Sequence, residues 1–145
     1  MTKISDIMTP HCEWAQPNAT VQEIAQRMKE LDCGFIPVGD GEDRKLIGTI
    51  TDRDIALRCC TKGLNPKECT ARDVMTDKTY YCYEDQDTED VCHNMSEIKV
   101  RRLPVLNRDK ELVGIVSIGD LAQGSDTSET GETLKEITFH AKKAA

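Results

Sequence analysis

No apolar run in this 145-residue chain approaches the roughly twenty residues that a bilayer-spanning helix needs, which argues against a helical membrane protein. The opening MTKISDIMTP lacks the basic start and apolar core of a secretion signal, so a cytoplasmic location is expected. Clustered Lys and Arg are also missing, since 19 basic and 26 acidic residues give a net charge of −7 spread along the chain. A phosphate backbone or an anionic membrane surface is a poor partner for such a surface, so neither nucleic acid nor membrane is expected. A small anion is still permitted, because repulsion is screened within about 8 Å at physiological salt while local donors act at contact.

Catalytic signatures are lacking as well. His11, His93 and His140 stand in separate segments, and the chain has no nucleophile elbow, P-loop or paired-His metal signature. No catalytic residue and no enzymatic activity are therefore expected. Cysteine is plentiful, but Cys12, Cys33, Cys59, Cys60, Cys69, Cys82 and Cys92 include no C-x-x-C, and their odd number argues for reduced thiols. The adjacent pairs His11-Cys12 and Cys92-His93 point to different sides of a helix or strand and chelate together poorly. No metal ligand is expected, and the thiols are read as packing or surface groups, with a redox or metal sensor as the weaker alternative.

What the chain does have is a globular composition, 38% hydrophobic and 31% charged, written out in two copies. An offset of 67 residues aligns Asp6–Thr9 (DIMT) with Asp73–Thr76 (DVMT), and Ile36–Val38 (IPV) with Leu103–Val105 (LPV). Past the next loop the offset becomes 66, and Leu46-Ile47-Gly48, Thr51 and Asp54 match Leu112-Val113-Gly114, Ser117 and Asp120. This is an internal duplication.

Each copy reads as strand, helix, strand, strand, helix. A short extended stretch around Glu13–Ala15 or Tyr80–Tyr83 precedes a helix whose start is marked by Thr20 and Glu23, or by Asp87 and Asp90. Val21, Ile24, Ala25, Met28 and Leu31 give the first helix one apolar face, as Val91, Cys92, Met95 and Ile98 do the second. Cys92 falls on Ala25, which predicts packing. The apolar runs Phe35–Val38 and Leu46–Ile50 flank a hairpin-type connection, and Leu103–Leu106 and Leu112–Val116 repeat it. The expected divisions are 1–61 and 73–124 for the two repeats, 62–72 for a linker and 125–145 for a tail. The tail is expected to begin as a polar loop from Gly124, then form a helix through Leu134, Ile137 and Ala141 that docks on the module or on a second chain. A unit of about 60 residues buries little apolar surface, so the copies should share a core about a pseudo-two-fold axis.

The repeated Gly-x-x-Thr/Ser-x-x-Asp has two readings. In one, Thr51 or Ser117 caps a helix and Asp54 or Asp120 sits at its positive end. In the other, Gly48 and Gly114 leave room beside the backbone, the hydroxyls and helix N–H groups suit a phosphate, and the carboxylates accept both hydroxyls of a ribose.

The doubled DIMT…IPV…LIGTITDRD and DVMT…LPV…LVGIVSIGD resemble a tandem pair of cystathionine β-synthase (CBS) domains, or Bateman module, from about Lys3 to Gly124. The resemblance implies an α/β (α+β) fold of two β-α-β-β-α repeats packed through their sheets, with clefts for AMP, ADP, ATP, NAD or S-adenosylmethionine, and often a disc-like homodimer. By position it implies ribose contacts at Asp54 and Asp120, phosphate-side hydroxyls at Thr51 and Ser117, and base-framing residues at Ile36-Pro37 and Leu103-Pro104. Backbone near Thr9-Pro10 and Thr76-Asp77 would close the clefts. The copies differ, with Asp52-Arg53 in one against Ile118-Gly119 in the other, and Gly34-Phe35 against Arg101-Arg102. The function implied is a nucleotide-sensing regulatory module acting on an unknown effector protein, with no obligatory cofactor. A ligand-free dimerisation module is the alternative, because capping satisfies the same spacing.

Overall fold

The protein is described by a computed structural model covering residues 2–10, 13–124 and 127–144, so His11 and Cys12 lie outside the described residues. The elements run α1 (Ile4–Ile7), β1 (Thr9–Pro10), α2 (Val21–Leu31), β2 (Phe35–Asp40), β3 (Lys45–Thr51), α3 (Asp52–Ile55), α4 (Ala71–Val74), β4 (Cys82–Tyr83), α5 (Thr88–Ile98), β5 (Arg102–Leu106), β6 (Leu112–Ser117), α6 (Ile118–Gly124) and α7 (Thr127–Ala144). Beyond Ile55, α3 widens into a π-helical turn, Ala56–Cys60. The architecture is mixed α/β, as the sequence pattern implies.

The chain divides into two compact units, Glu13–Thr79, and Tyr80–Ala145 together with Met1–Cys12. The units are therefore cut differently from the sequence repeats, because the leading segment of each copy joins the other copy's sheet. In the second unit β5 and β6 form an antiparallel hairpin, β4 adds in parallel to β5, and β1 pairs with β6 through Thr9 opposite Ile115 and Pro10 opposite Gly114. The first unit repeats this plan around the antiparallel β2 and β3, with Ala15 bridging Val38 in parallel and Thr76 bridging Thr49. The strands reach further into the hairpin than the apolar runs suggest, leaving Gly41 to Arg44 as the turn, with φ of 73° at Gly41 and 52° at Arg44.

Residues 62–72, read as a linker, contribute to the first unit's core. Cys69 and Ala71 are buried there with Val21, Ile24, Met28, Ile36, Val38 and Ile50. The second core gathers Ile4 with Val91, Met95, Leu103, Val105, Val116 and Leu121. Each fully buried aliphatic side chain of this kind contributes about 1.5–3 kcal/mol of transfer free energy.

Thr20 starts α2 as its spacing to Glu23 predicts, with the Glu23 N–H donating to Thr20 Oγ1 at 3.2 Å and the Thr20 N–H to Glu23 Oε2 at 3.0 Å. The second copy departs from that expectation. Asp87 stands at the N-cap of α5, but its carboxylate accepts instead from Lys3 Nζ at 2.8 Å, and the Thr88 N–H is taken by the carbonyl of Thr2. The leading segment thus fastens the start of α5 by other bonds than a capping box would make.

The apolar faces differ in the same way. Val21, Ile24 and Met28 are buried, but Ala25 and Leu31 are exposed. On α5 the matching Cys92 is fully buried, because α7 packs across α5 and α6. Thr130 and Thr133 face that contact, Thr130 Oγ1 donating to the Leu121 carbonyl and Thr133 Oγ1 to the Cys92 carbonyl, each at 3.5 Å. This docking explains why the helix begins at Thr127, where a polar loop is expected from the sequence. Ile137 is buried and Leu134 exposed, while the side chain of Ala141 lies outside the described set.

Candidate functional site

In the first unit β3 ends at Thr51, and the chain turns into α3. The Asp54 N–H donates to Thr51 Oγ1 at 3.0 Å and the Thr51 N–H to Asp54 Oδ2 at 2.9 Å. In the second unit the Asp120 N–H donates to Ser117 Oγ at 3.1 Å and the Ser117 N–H to Asp120 Oδ2 at 2.9 Å. Both repeats of the motif therefore form reciprocal capping boxes, each using one carboxylate oxygen. Both aspartates are half-buried, not turned out to solvent. The caps leave the second oxygen of each for contacts outside the turn.

Gly48 and Gly114 sit one strand residue pair before these turns, and the space beside them is filled by the protein itself. A Cβ on Gly48 would lie 2.6 Å from Met75 Sδ and 2.9 Å from the Thr76 carbonyl oxygen. A Cβ on Gly114 would lie 2.8 Å from Met8 Sδ and 2.7 Å from the Thr9 oxygen. The close approach anticipated at these glycines is thus made by the Met-Thr segments of the opposite copies, and a side chain there would push them away. Thr76 pairs across to Thr49, and Thr9 and Pro10 pair across to Ile115 and Gly114, two to three residues before the Thr51 and Ser117 turns. This crossed pairing is not readable from the order of residues in the chain.

Ile36 and Leu103 are buried within the two apolar cores. Side chains alternate along a strand, so Pro37 and Pro104, one residue on, belong to the opposite faces of their sheets. Both prolines are buried, Thr76 is half-buried, and Asp77, Thr9 and Pro10 are exposed. A separate depression of about 330 Å³, lined by Gln16, Pro17, Asn18, Asp40, Thr70 and Arg72, lies at the other end of the β2–β3 hairpin from Thr51.

One residue of the site escapes the sequence reading. Arg58 Nη2 stands 3.5 Å from Asp54 Oδ1, while Nη1 donates to the Val74 carbonyl at 2.9 Å and to Thr76 Oγ1 at 3.1 Å. Its guanidinium bridges α3 and the Val74–Thr76 segment. The available signal was the spacing of Asp54 and Arg58, four residues apart on one helix face.

The six cysteines among the described residues are unbonded, Cys33 and Cys60 exposed and Cys59, Cys69, Cys82 and Cys92 buried. Among the described residues no three His, Cys, Asp or Glu side chains come together as a metal site, and no helix is long and apolar enough to cross a membrane.

Fold and site together define a duplicated α/β module in which each half carries a capped helix start, a half-buried carboxylate and a strand-like segment from the other copy. The CBS domain model matches residues 4–59 and 71–125, and the chain belongs to the CBS domain family. It is 36% identical over 123 residues to hypoxic response protein 1 of Mycobacterium tuberculosis, covering 85% of each chain. A crystal structure of that protein with two coordinated zinc ions superimposes with a TM-score of 0.77 at 33% identity, over 86% of this chain and 100% of the other. CBSX2 in complex with AMP matches with a TM-score of 0.74 at 25% identity, over 86% and 96% of the two chains. The CBS domain pair of MJ0100 in complex with 5'-methylthioadenosine and S-adenosyl-L-methionine also gives 0.74, at 26% identity over 85% and 94%. CBS-pair proteins of this kind thus include adenosyl-binding modules.

Proposed function

We propose that the chain is a regulatory module that binds an adenosyl compound, with AMP, ADP, ATP, NAD and S-adenosylmethionine as the candidate ligands. The observation carrying this reading is the doubled constellation, in which each half-buried aspartate follows a strand paired with a segment from the opposite copy and spends one oxygen on its own cap, its second oxygen being held by Arg58 at Asp54 and unengaged among the described residues at Asp120. A ribose diol donates to that oxygen, while Thr51 or Ser117 and the neighbouring backbone hold the phosphate or other end. Pro37 with Thr76-Asp77, and Pro104 with Thr9-Pro10, frame the remainder. Ile36, Leu103, Gly48 and Gly114 act indirectly, by holding the strands and the crossing segments in place. The relatives with AMP, methylthioadenosine and S-adenosylmethionine support the class of ligand. Regulation follows from differential affinity: a ligand that favours one arrangement of the chain or of a homodimer shifts the population that an effector protein meets. No catalytic step and no obligatory cofactor form part of the reading. A reducing, cytoplasmic setting suits the unbonded cysteines.

Thermal unfolding with AMP, ATP or S-adenosylmethionine at millimolar concentration tests this. The melting temperature should rise, because binding to the folded state alone adds about 2.7 kcal/mol at a hundredfold excess over Kd. Asp54→Ala and Asp120→Ala should each remove part of the rise. A flat response to every one of these compounds would favour the second reading, a ligand-free dimerisation module, which the completed capping boxes also fit.

A further inference from the structure

The two aspartates stand in different electrostatic surroundings. Asp54 has both oxygens engaged, Oδ2 by its own cap and Oδ1 by Arg58 at 3.5 Å. Among the described residues no hydrogen bond or ion pair engages the second oxygen of Asp120. The position matching Arg58 at the 66-residue offset is Gly124. A Cβ there would overlap the side chain of Ile7, so the second unit has no room for an arginine at this point. Ile7 is itself the counterpart of Val74, whose carbonyl Arg58 holds. The same corner of the fold is therefore closed by a cation in one unit and by an apolar contact in the other.

We infer that Arg58 is a specificity-determining residue, which makes the first site selective for phosphorylated adenosyl ligands and leaves the second open to phosphate-free nucleosides. This rests on the adenosyl-binding reading above. A neutral nucleoside reaching Asp54 offers only hydroxyls against a charge-assisted contact already in place, and the displaced guanidinium gains nothing in return. A nucleotide offers that guanidinium a phosphate, its best-matched partner, so one charged contact is exchanged for another. Arg58 can make the exchange, since its side chain is 40% exposed while Asp54 is 17% exposed. At Asp120 no such exchange is needed.

Calorimetric titration of the full chain with adenosine and with AMP reads this directly. Adenosine should fill one site per chain and AMP two, and Asp120→Ala should abolish the adenosine site while Asp54→Ala leaves it. In an Asp120→Ala background, Arg58→Gln should shift the adenosine-to-AMP affinity ratio of the remaining site by at least about tenfold toward adenosine. Gln keeps a donor for Val74 and Thr76, and the stoichiometry on the unaltered chain does not depend on any variant folding. Equal filling of both sites by adenosine, loss of adenosine binding in Asp54→Ala, or a ratio unmoved by Arg58→Gln would each overturn the inference while leaving adenosyl binding intact. Binding of neither compound to the unaltered chain would overturn the inference, and a flat thermal response to ATP and S-adenosylmethionine as well would overturn the adenosyl reading with it.

Discussion

The carboxylate of Asp73 accepts two hydrogen bonds from Thr70, from the backbone N–H at 2.9 Å and from the hydroxyl at 3.1 Å. Asp6 accepts in the same way from the Lys3 N–H at 3.0 Å, so the acid of each repeated Asp-x-Met-Thr fastens the short helix that delivers the methionine to its glycine. The Thr70 donors hold the Asp73 carboxyl below the usual carboxylate range. A lowered folded pKa means that the ionised form is the stabilising one. Its contribution should be complete above the ordinary value of 3.8 and should vanish as pH falls through the lowered folded value. Urea midpoints of the native chain and Asp73→Ala should therefore differ at about pH 5 and draw together as pH falls below 3.8, and a gap independent of pH would contradict this role. Arg58 and Asp54 belong to this scale as well, because on the proposed reading their contact selects the ligand of the first site. The buried thiols serve packing, and burial pushes Cys82 up to about 12, so it stays protonated and unreactive at neutral pH.

At the scale of elements, α2 and α5 end alike, on Asp32 and Lys99 in the left-handed region with φ of 51° and 58°. Neither is glycine. A left-handed non-glycine residue costs about 1–2 kcal/mol, while glycine loses about 0.5–1 kcal/mol of extra chain entropy, so the first effect wins. Lys99→Gly should stabilise the protein by up to about 1 kcal/mol in urea unfolding, and a loss of stability would show that Lys99 makes a contact worth more than its strain. Helix coverage separates the two copies further. α7 hides Cys92 on α5, whereas Ala25 on α2 remains exposed, so equivalent positions in the repeat meet different surroundings.

Over the whole molecule, the exchanged leading segments set stability. Ile4, from the first copy, is fully buried among residues of the second. Ile4→Ala should destabilise the protein by about 2–4 kcal/mol, and its effect should be local to the unit that holds it. Hydrogen exchange should show Leu103–Leu106 losing protection before Phe35–Asp40, and the reverse order would contradict the unit boundaries. The sequence by itself determined the duplication, the helix built on Thr20 and Glu23, both hairpins, and the Thr51–Asp54 and Ser117–Asp120 pairs. The duplication is read by laying the chain on itself at 66 to 67 residues, and the others are written in spacings of two to seven residues, where backbone periodicity and capping act. Only the tertiary structure decided which Met-Thr segment lies against which glycine, that Arg58 holds Val74 and Thr76, and that Asp87 turns to Lys3 instead of capping α5. Those pairings join positions far apart in the chain, and they are chosen by the steric fit and charge of surfaces that exist only after the units have folded.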